Sequence, residues 1–167
     1  MPRRVFTQTF GVVAAIIVKN GRVLLIREVQ RFDGKIGPDD GKWNHPAGWI
    51  EVGEPPLDAV VREVLEETGY VFTPKHLLGV YSLVRKDIES SFGSAPHPIK
   101  LIYTGEISEG PVAELQDDVS EIGWFRPEDI EAMSIDELRD LNIKQMVRDY
   151  QAKKWYPLEV VSHVVQR

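Results

Sequence analysis

The chain has 167 residues, 43% of them hydrophobic and 28% charged, a balance that suits one globular domain with a buried core and excludes wholesale disorder. Its 20 Lys and Arg against 26 Asp and Glu leave a formal charge of −6. That argues against charge-driven nucleic-acid binding and requires any polyanionic ligand to find a local counter-charge, either a basic patch or a bound metal. With no cysteine, disulfides, thiolate zinc sites and a cysteine nucleophile are excluded, any metal must sit on oxygen or imidazole ligands, and a reducing, cytoplasmic setting is expected.

Residues 1–6 include Arg3 and Arg4, but the apolar run over 10–18 contains Gly11, lacks a small-residue cleavage site and leads into Lys19-Asn20-Gly21. It reads as a strand rather than a signal peptide, and no window approaches the ~20 apolar residues of a membrane span. Val and Ile dominate 11–18, Asn20-Gly21 is a two-residue hairpin signal, and 23–26 is a second apolar run, which predicts two antiparallel strands. Residues 32–42 collect Gly34, Gly37, Pro38, Asp39, Asp40 and Gly41, turn formers that predict a long surface loop at a substrate rim. Pro55 and Pro56 ahead of 57–68, with Gly69 just past the end, punctuate a helix. Strands are expected over 77–84, 99–107 and 122–125, the first two separated by a polar loop carrying Ser90, Ser91, Gly93, Ser94, Pro96 and Pro98. Pro127 opens a short acidic helical turn. Leu138, Leu141, Met146 and Tyr150 predict an amphipathic helix over about 135–154, ending in Lys153-Lys154 beside its negative dipole end. No repeat or linker interrupts the chain, so 1–167 reads as a single domain.

The chemistry concentrates on the helix over 57–68. Successive residues turn by about 100°, so Glu63, Glu66 and Glu67 share one face while Leu57, Val61, Val64 and Leu65 fall roughly opposite. One side can pack on a sheet, and the other gathers three carboxylates whose mutual repulsion calls for something positive among them. Oxygen-rich clusters suit hard cations, and Mg2+ takes a few carboxylates, keeps waters and bridges to substrate phosphates.

A solvated acidic face would explain three glutamates on an arbitrary helix, but the spacing around them is more specific. From Gly48 the chain runs five residues to Glu54, seven more to Arg62-Glu63, then Val64, Leu65, Glu66-Glu67, Thr68, Gly69 and Tyr70. This resembles the Nudix box, G-x5-E-x7-R-E-U-x-E-E-x-G-U with U bulky and apolar. Seven fixed identities would meet by chance in roughly one window in 10⁸, which sets the solvated-face reading aside. Tyr70 stands where an aliphatic residue is usual, and an aromatic can fill the same packing role.

The resemblance implies an α/β (α+β) Nudix fold, a mixed β-sheet sandwiched between α-helices, with the box over 48–70 forming loop, helix and loop. It also implies roles. Glu63, Glu66 and Glu67, with the Gly48 carbonyl, match the family's metal ligands. Arg62 and Glu54 match a pair that orients those ligands, a task suited to a planar guanidinium fork. The implied reaction is Mg2+-dependent hydrolysis, with Mn2+ as an alternative ion, of a phosphate anhydride in a nucleoside di- or triphosphate or related small-molecule diphosphate. Glu63 and Glu66 are candidates for the general base; downstream, Asp117, Asp118 and Glu121 precede Trp124-Phe125, where the resemblance implies a further acidic residue that binds metal or acts as base, and Glu121 is the preferred one. Around the box, Trp43-Asn44-His45-Pro46-Ala47-Gly48 and Lys153-Lys154-Trp155-Tyr156-Pro157-Leu158 resemble the NudJ-type phosphatases, over about 10–165. That likeness adds the pyrimidine diphosphate precursor of thiamin to the substrate candidates, and 32–42 stands as an insertion relative to that group.

Five further residues are candidate substrate contacts, each with a plainer alternative. His45 either donates to a phosphate or is a packed loop residue; Trp43 either stacks on a base or plugs the core. Arg27, Arg85 and Lys100 lie on expected strands where a cationic head could reach phosphate or remain a surface charge. The expected partner is a small phosphorylated substrate, with no nucleic acid and no membrane, and the protein acts as a monomer or homodimer. A non-catalytic Nudix-fold nucleotide sensor is the alternative, but such a module is expected to have lost box glutamates that this chain keeps. A structural acidic protein or Ca2+ binder would show ion-dependent stability without turnover.

Overall fold

A computed structural model describes residues 8–166; the basic stretch at 1–6 lies outside the described residues. In chain order the elements are β1 (Phe10–Lys19), β2 (Arg22–Glu28), a small hairpin of β3 (Arg31–Phe32) and β4 (Lys35–Ile36), β5 (Trp43–Asn44), β6 (Ala47–Trp49), α1 (Pro56–Thr68), β7 (Phe72–Ser82), α2 (Glu89–Phe92), β8 (Pro98–Ile107), β9 (Val119–Phe125), α3 (Pro127–Ala132) and α4 (Asn142–Gln151).

The β1–β2 hairpin organises the sheet. Asn20 (φ 52°) and Gly21 (φ 72°) both take positive φ, as a two-residue primed turn requires. The two strands pair beside the turn at Val18–Val23 and Lys19–Arg22. β1 also runs parallel to β8 and antiparallel to β6, while β2 pairs antiparallel with β9 and β5. The mixed order is β5-β2-β1-β8-β7, with β6 on β1 and β9 on β2.

Side chains alternate across this sheet. Val13, Ala15 and Ile17 of β1, with Leu24 and Ile26 of β2, pack against Ala59, Val60 and Val64 of α1. Ala14 and Ile16, with Val23 and Leu25, face Ile130, Met133, Leu138, Ile143, Met146 and Val147 on the α3–α4 side. The result is the expected mixed sheet between helices. Ile16 and Leu24, on opposite faces, are fully enclosed, and burying each such side chain contributes roughly 1.5–3 kcal/mol. α1 is punctuated as its sequence predicts: Pro55 caps it, and Gly69 ends it at φ 73°, donating to the Leu65 carbonyl at 2.8 Å. A Cβ at Gly69 would also run into the Ala113 carbonyl. Tyr70 packs against the α1-side core.

Three expectations need correction. The loop at 32–42 contains most of the β3–β4 hairpin, turned by Asp33 (φ 50°) and Gly34 (φ 76°). β7 begins at Phe72, earlier than expected, because register shifts between Pro74 and His76 and between Leu77 and Gly79 admit a proline that a regular ladder would reject. The helix expected over about 135–154 starts only at Asn142. Ahead of it, the backbone is spent on β5: Trp43 N–H donates to the Glu137 carbonyl at 2.7 Å and Arg139 N–H to the Trp43 carbonyl at 2.9 Å. At the other end Lys153 turns left-handed (φ 54°), and Tyr156 pairs with Leu77 on β7. Among the described residues no helix is long and apolar enough to cross a membrane.

Candidate active site

α1 presents its polar face along Arg62, Glu63 and Glu66. The Arg62 guanidinium donates to Glu54 through Nε at 2.8 Å and Nη2 at 2.9 Å, to Glu63 at 2.7 Å, to Glu66 at 3.1 Å and to the Trp49 carbonyl at 3.1 Å. This fork ties the loop before the helix to two of the helix glutamates. Hydrogen bonding from Arg62 holds the Glu54 carboxyl below its ordinary range.

Glu63 and Glu67 are pushed the other way. Burial raises Glu63, against the pull of Arg62, and Glu66 and Asp118 add to the rise. Burial raises Glu67 well above the usual carboxylate value; Ala47 N–H, donating at 2.8 Å, opposes this, and Glu28, Glu63 and Asp118 reinforce it. Gly48 leaves no room for a side chain, because a Cβ there would overlap the Glu63 carboxyl. β6 and α1 therefore approach as closely as a glycine allows, bringing the Gly48 backbone against Glu63.

These donors fit a hard divalent ion. Glu63, Glu66 and Glu67 with the Gly48 carbonyl form an all-oxygen set, and a dication among crowded carboxylates would favour their charged forms. Among the described residues no three acidic or histidine side chains stand already gathered as a metal cage. Arg62 draws Glu63 and Glu66 while Ala47 draws Glu67. Mg2+, which keeps waters and bridges to phosphate, does not require such a cage.

Glu67, Ala47 and Gly48 open onto a cavity of about 380 Å³. Away from the box, its lining is held by ion pairs. Lys100 donates to Asp140 at 2.8 Å, Arg85 to Asp39 at 2.9 Å and to Asp87 at 2.8 Å, and Arg139 to Glu28 at 2.7 Å. Burial pushes Asp140 up but is outweighed by Lys100 and His45, leaving it at about 2. His45 is fully enclosed, and burial together with Lys100 lowers it to about 3, so its ring is neutral at pH 7. Both its nitrogens, and the Asn44 and Asp140 Oδ1 atoms, lack a hydrogen-bond partner among the described residues.

The sequence-selected residues thus divide. His45, Arg85 and Lys100 line the cavity with Gly48 and Glu67, although Arg85 and Lys100 are engaged by carboxylates. Arg27, Trp43 and Glu121 do not line it. They form one cross-strand row, Arg27 in register with Trp43 on β5 and with Glu121 on β9. Arg27 meets Glu121 at 3.4 Å in the open, and Trp43 packs edge-on against Phe125, on the α3–α4 side. Side chains alternate along a strand, so the neighbours Glu28 and Asn44 reach the cavity instead. Asp118, just before β9, is the downstream carboxylate on its wall. Glu28, Asp39, Arg139 and Asp140 carry little local signal in the sequence: only alternation along β2 points to Glu28, and nothing local marks the others.

A family model described as NUDIX domain matches residues 8–161. Phosphatase NudJ of Escherichia coli K12 is 27% identical over 151 residues, covering 90% of this chain and 88% of its own. Among solved structures, a NUDIX hydrolase from Nitrosomonas europaea aligns with a TM-score of 0.78 and 30% identity, covering 94% of this chain and 98% of its own. A MutT NUDIX hydrolase from Burkholderia pseudomallei aligns at 0.64 and 26%, covering 85% and 98%. The fold and the glutamate-bearing helix thus define a hydrolase of phosphate anhydrides. The chain belongs to the Nudix family.

Proposed function

We propose that the protein uses Mg2+, with Mn2+ as a substitute, to hydrolyse a phosphate anhydride in a nucleoside di- or triphosphate or a related small-molecule diphosphate, the thiamin-pathway pyrimidine diphosphate included. The observation that carries this reading is Glu67: it is buried on the cavity wall, and Glu28, Glu63 and Asp118 all disfavour its charge. The likeness to a protein named as a phosphatase supports the same direction.

Mg2+ bound by Glu63, Glu66, Glu67 and the Gly48 carbonyl would neutralise nonbridging phosphate oxygens and make water more acidic. The chain's own part is to hold those ligands still. Arg62, anchored by Glu54, donates directly to Glu63 and Glu66, and the Ala47 N–H fixes Glu67. Glu63 and Glu66 remain candidates to take the proton. Asp118 joins them from the cavity wall, whereas the pairing of Glu121 with Arg27 off the cavity weighs against that residue.

The test is release of phosphate, pyrophosphate or nucleoside monophosphate from a panel of nucleoside di- and triphosphates, ADP-ribose, dinucleoside polyphosphates and thiamin-pathway diphosphates, with Mg2+ and with a chelator. Turnover should require the metal and fall by at least about 100-fold in Glu67→Gln. Undiminished turnover in that variant would remove the box as the site, and silence across the panel with nucleotide binding intact would favour the sensor.

A further inference from the structure

Two excursions of the chain, 29–42 and 83–98, meet over the cavity. Their junction is a buried ion pair. Asp39, 1% exposed, accepts from Arg85 Nη2 at 2.9 Å and Nη1 at 3.3 Å. Lys42 approaches the same carboxylate at 3.6 Å and Arg139 at 3.5 Å. The excursions are also braced internally: Asp39 N–H donates to Gln30 Oε1 at 3.2 Å, and Arg85 N–H to the Pro96 carbonyl at 2.9 Å. A second junction is aromatic, with Phe32 of β3 meeting Phe92 of α2 edge-on at 5.8 Å between ring centroids. The inserted segment is therefore fastened to the rest of the wall, and breaking a buried ion pair of this kind is costly.

What the fastened segments offer the cavity is apolar surface. Phe32 and Phe92 line it, with Leu83, Ile88, Pro96 and Pro98. Phe32 is 46% exposed although it forms cavity wall, and Trp49, on the box side of the same space, is 43% exposed. Both rings are packed on one side, Phe32 on Phe92 and Trp49 on Phe10 at 4.8 Å between centroids, yet both line the cavity with close to half their surface accessible, which leaves room for a further ring to pack against them. The lining cations offer no counter-charge to a second anionic group: Arg31, Arg85, Lys100 and Arg139 already hold Asp40, Asp39, Asp140 and Glu28. Negative charge in the ligand belongs at the glutamate end, through a metal, and the remaining space suits a flat, uncharged ring.

We propose that 29–42 and 83–98 form a fixed cap, latched by Asp39 and Arg85, whose Phe32 ring, together with Trp49 on the box side of the cavity, binds the planar aromatic head group of the substrate. Head-group choice then belongs to the cap and bond cleavage to the box glutamates. The inference rests on the reading above that the substrate is an organic diphosphate. Phe32 is a specificity residue in direct contact with the head group, and Asp39 is a positioning residue acting through Arg85.

Calorimetric titration in Mg2+ separates the two ends of the ligand. The probes are a nucleoside α,β-methylene diphosphate, which carries a ring, and methylenediphosphonate, which does not. The intact protein should bind the nucleoside analogue at least about tenfold more tightly, the scale of one base–aromatic stack. Phe32→Ala and Asp39→Asn should each remove most of that preference while changing methylenediphosphonate affinity by less than about twofold, since neither touches the glutamates. Phe32 is half exposed, so its variant keeps the test valid if Asp39→Asn does not fold. Equal affinity for both probes in the intact protein, or a preference that survives Phe32→Ala, would overturn the cap. Ring preference in a protein that hydrolyses nothing would leave the cap standing and sink the proposed reaction; hydrolysis without ring preference would do the reverse.

Discussion

At the α1 end of the site a single guanidinium serves three carboxylates, Arg62 bonding Glu54, Glu63 and Glu66, while a fourth, Glu67, lines the cavity and takes a backbone N–H. At the other end charge is balanced as a group: Lys100 pairs with Asp140, Arg85 bonds Asp39 and Asp87, Arg139 bonds Glu28 and approaches Asp39, and Lys42 also approaches Asp39. Surplus negative charge is costly in the bare protein, and it marks the place where an added dication would be stabilised. Matched charge asks for no such ligand. Its work is to hold distant segments together, since Lys100 is on β8 and Asp140 precedes α4. The first end should therefore respond to substitution through activity and metal affinity, the second through stability.

The largest expected effect lies at the matched end. Asp140→Asn leaves the buried Lys100 ammonium without its counter-charge and should destabilise the fold by about 3 kcal/mol in denaturant unfolding. Adding Lys100→Met should recover most of that loss, because removing both partners costs far less than stranding one. A single variant as stable as the parent would show that the pair holds nothing. Next comes Gly48→Ala at the surplus end. The added methyl must displace the Glu63 carboxyl, so kcat should fall by about 100-fold, equivalent to about 2.7 kcal/mol of transition-state stabilisation. The unfolding midpoint should move little, since Glu63 can rotate toward solvent. Loss of stability without loss of rate would reverse the assignment of the two ends.

How much of this was legible in the sequence follows from the distances over which the information is spread. Gly48 on β6, Glu54 on the loop after it and Arg62 with the glutamates on α1 follow one another along a single short stretch of chain, where a period of 3.6 and two punctuating residues fix which helical side chains share a face. The sheet contribution depends on parity. Arg27, Trp43 and Glu121 lie on strands whose inward face is decided only by pairing, and a shift of one residue sends a side chain to the other face. Glu28 and Asn44, each beside a chosen residue, are the ones on the cavity wall. The ion pairs away from the box join residues far apart in sequence, Asp39 to Arg85 and Lys100 to Asp140, and no local pattern announces them. The C-terminal helix is shorter than its apolar spacing suggests for a related reason: that spacing continues through Leu138, but Leu138 bridges Trp43 on β5.

The central claim is that the surplus carboxylates of α1 hold a divalent ion. It is tested most directly by titrating Mn2+ into the intact protein and into Glu67→Gln, with free ion read by electron paramagnetic resonance. The expected result is saturable binding, competed by Mg2+, that weakens by about tenfold or more in the variant. Affinity unchanged by Glu67→Gln would contradict the claim and place the ion elsewhere.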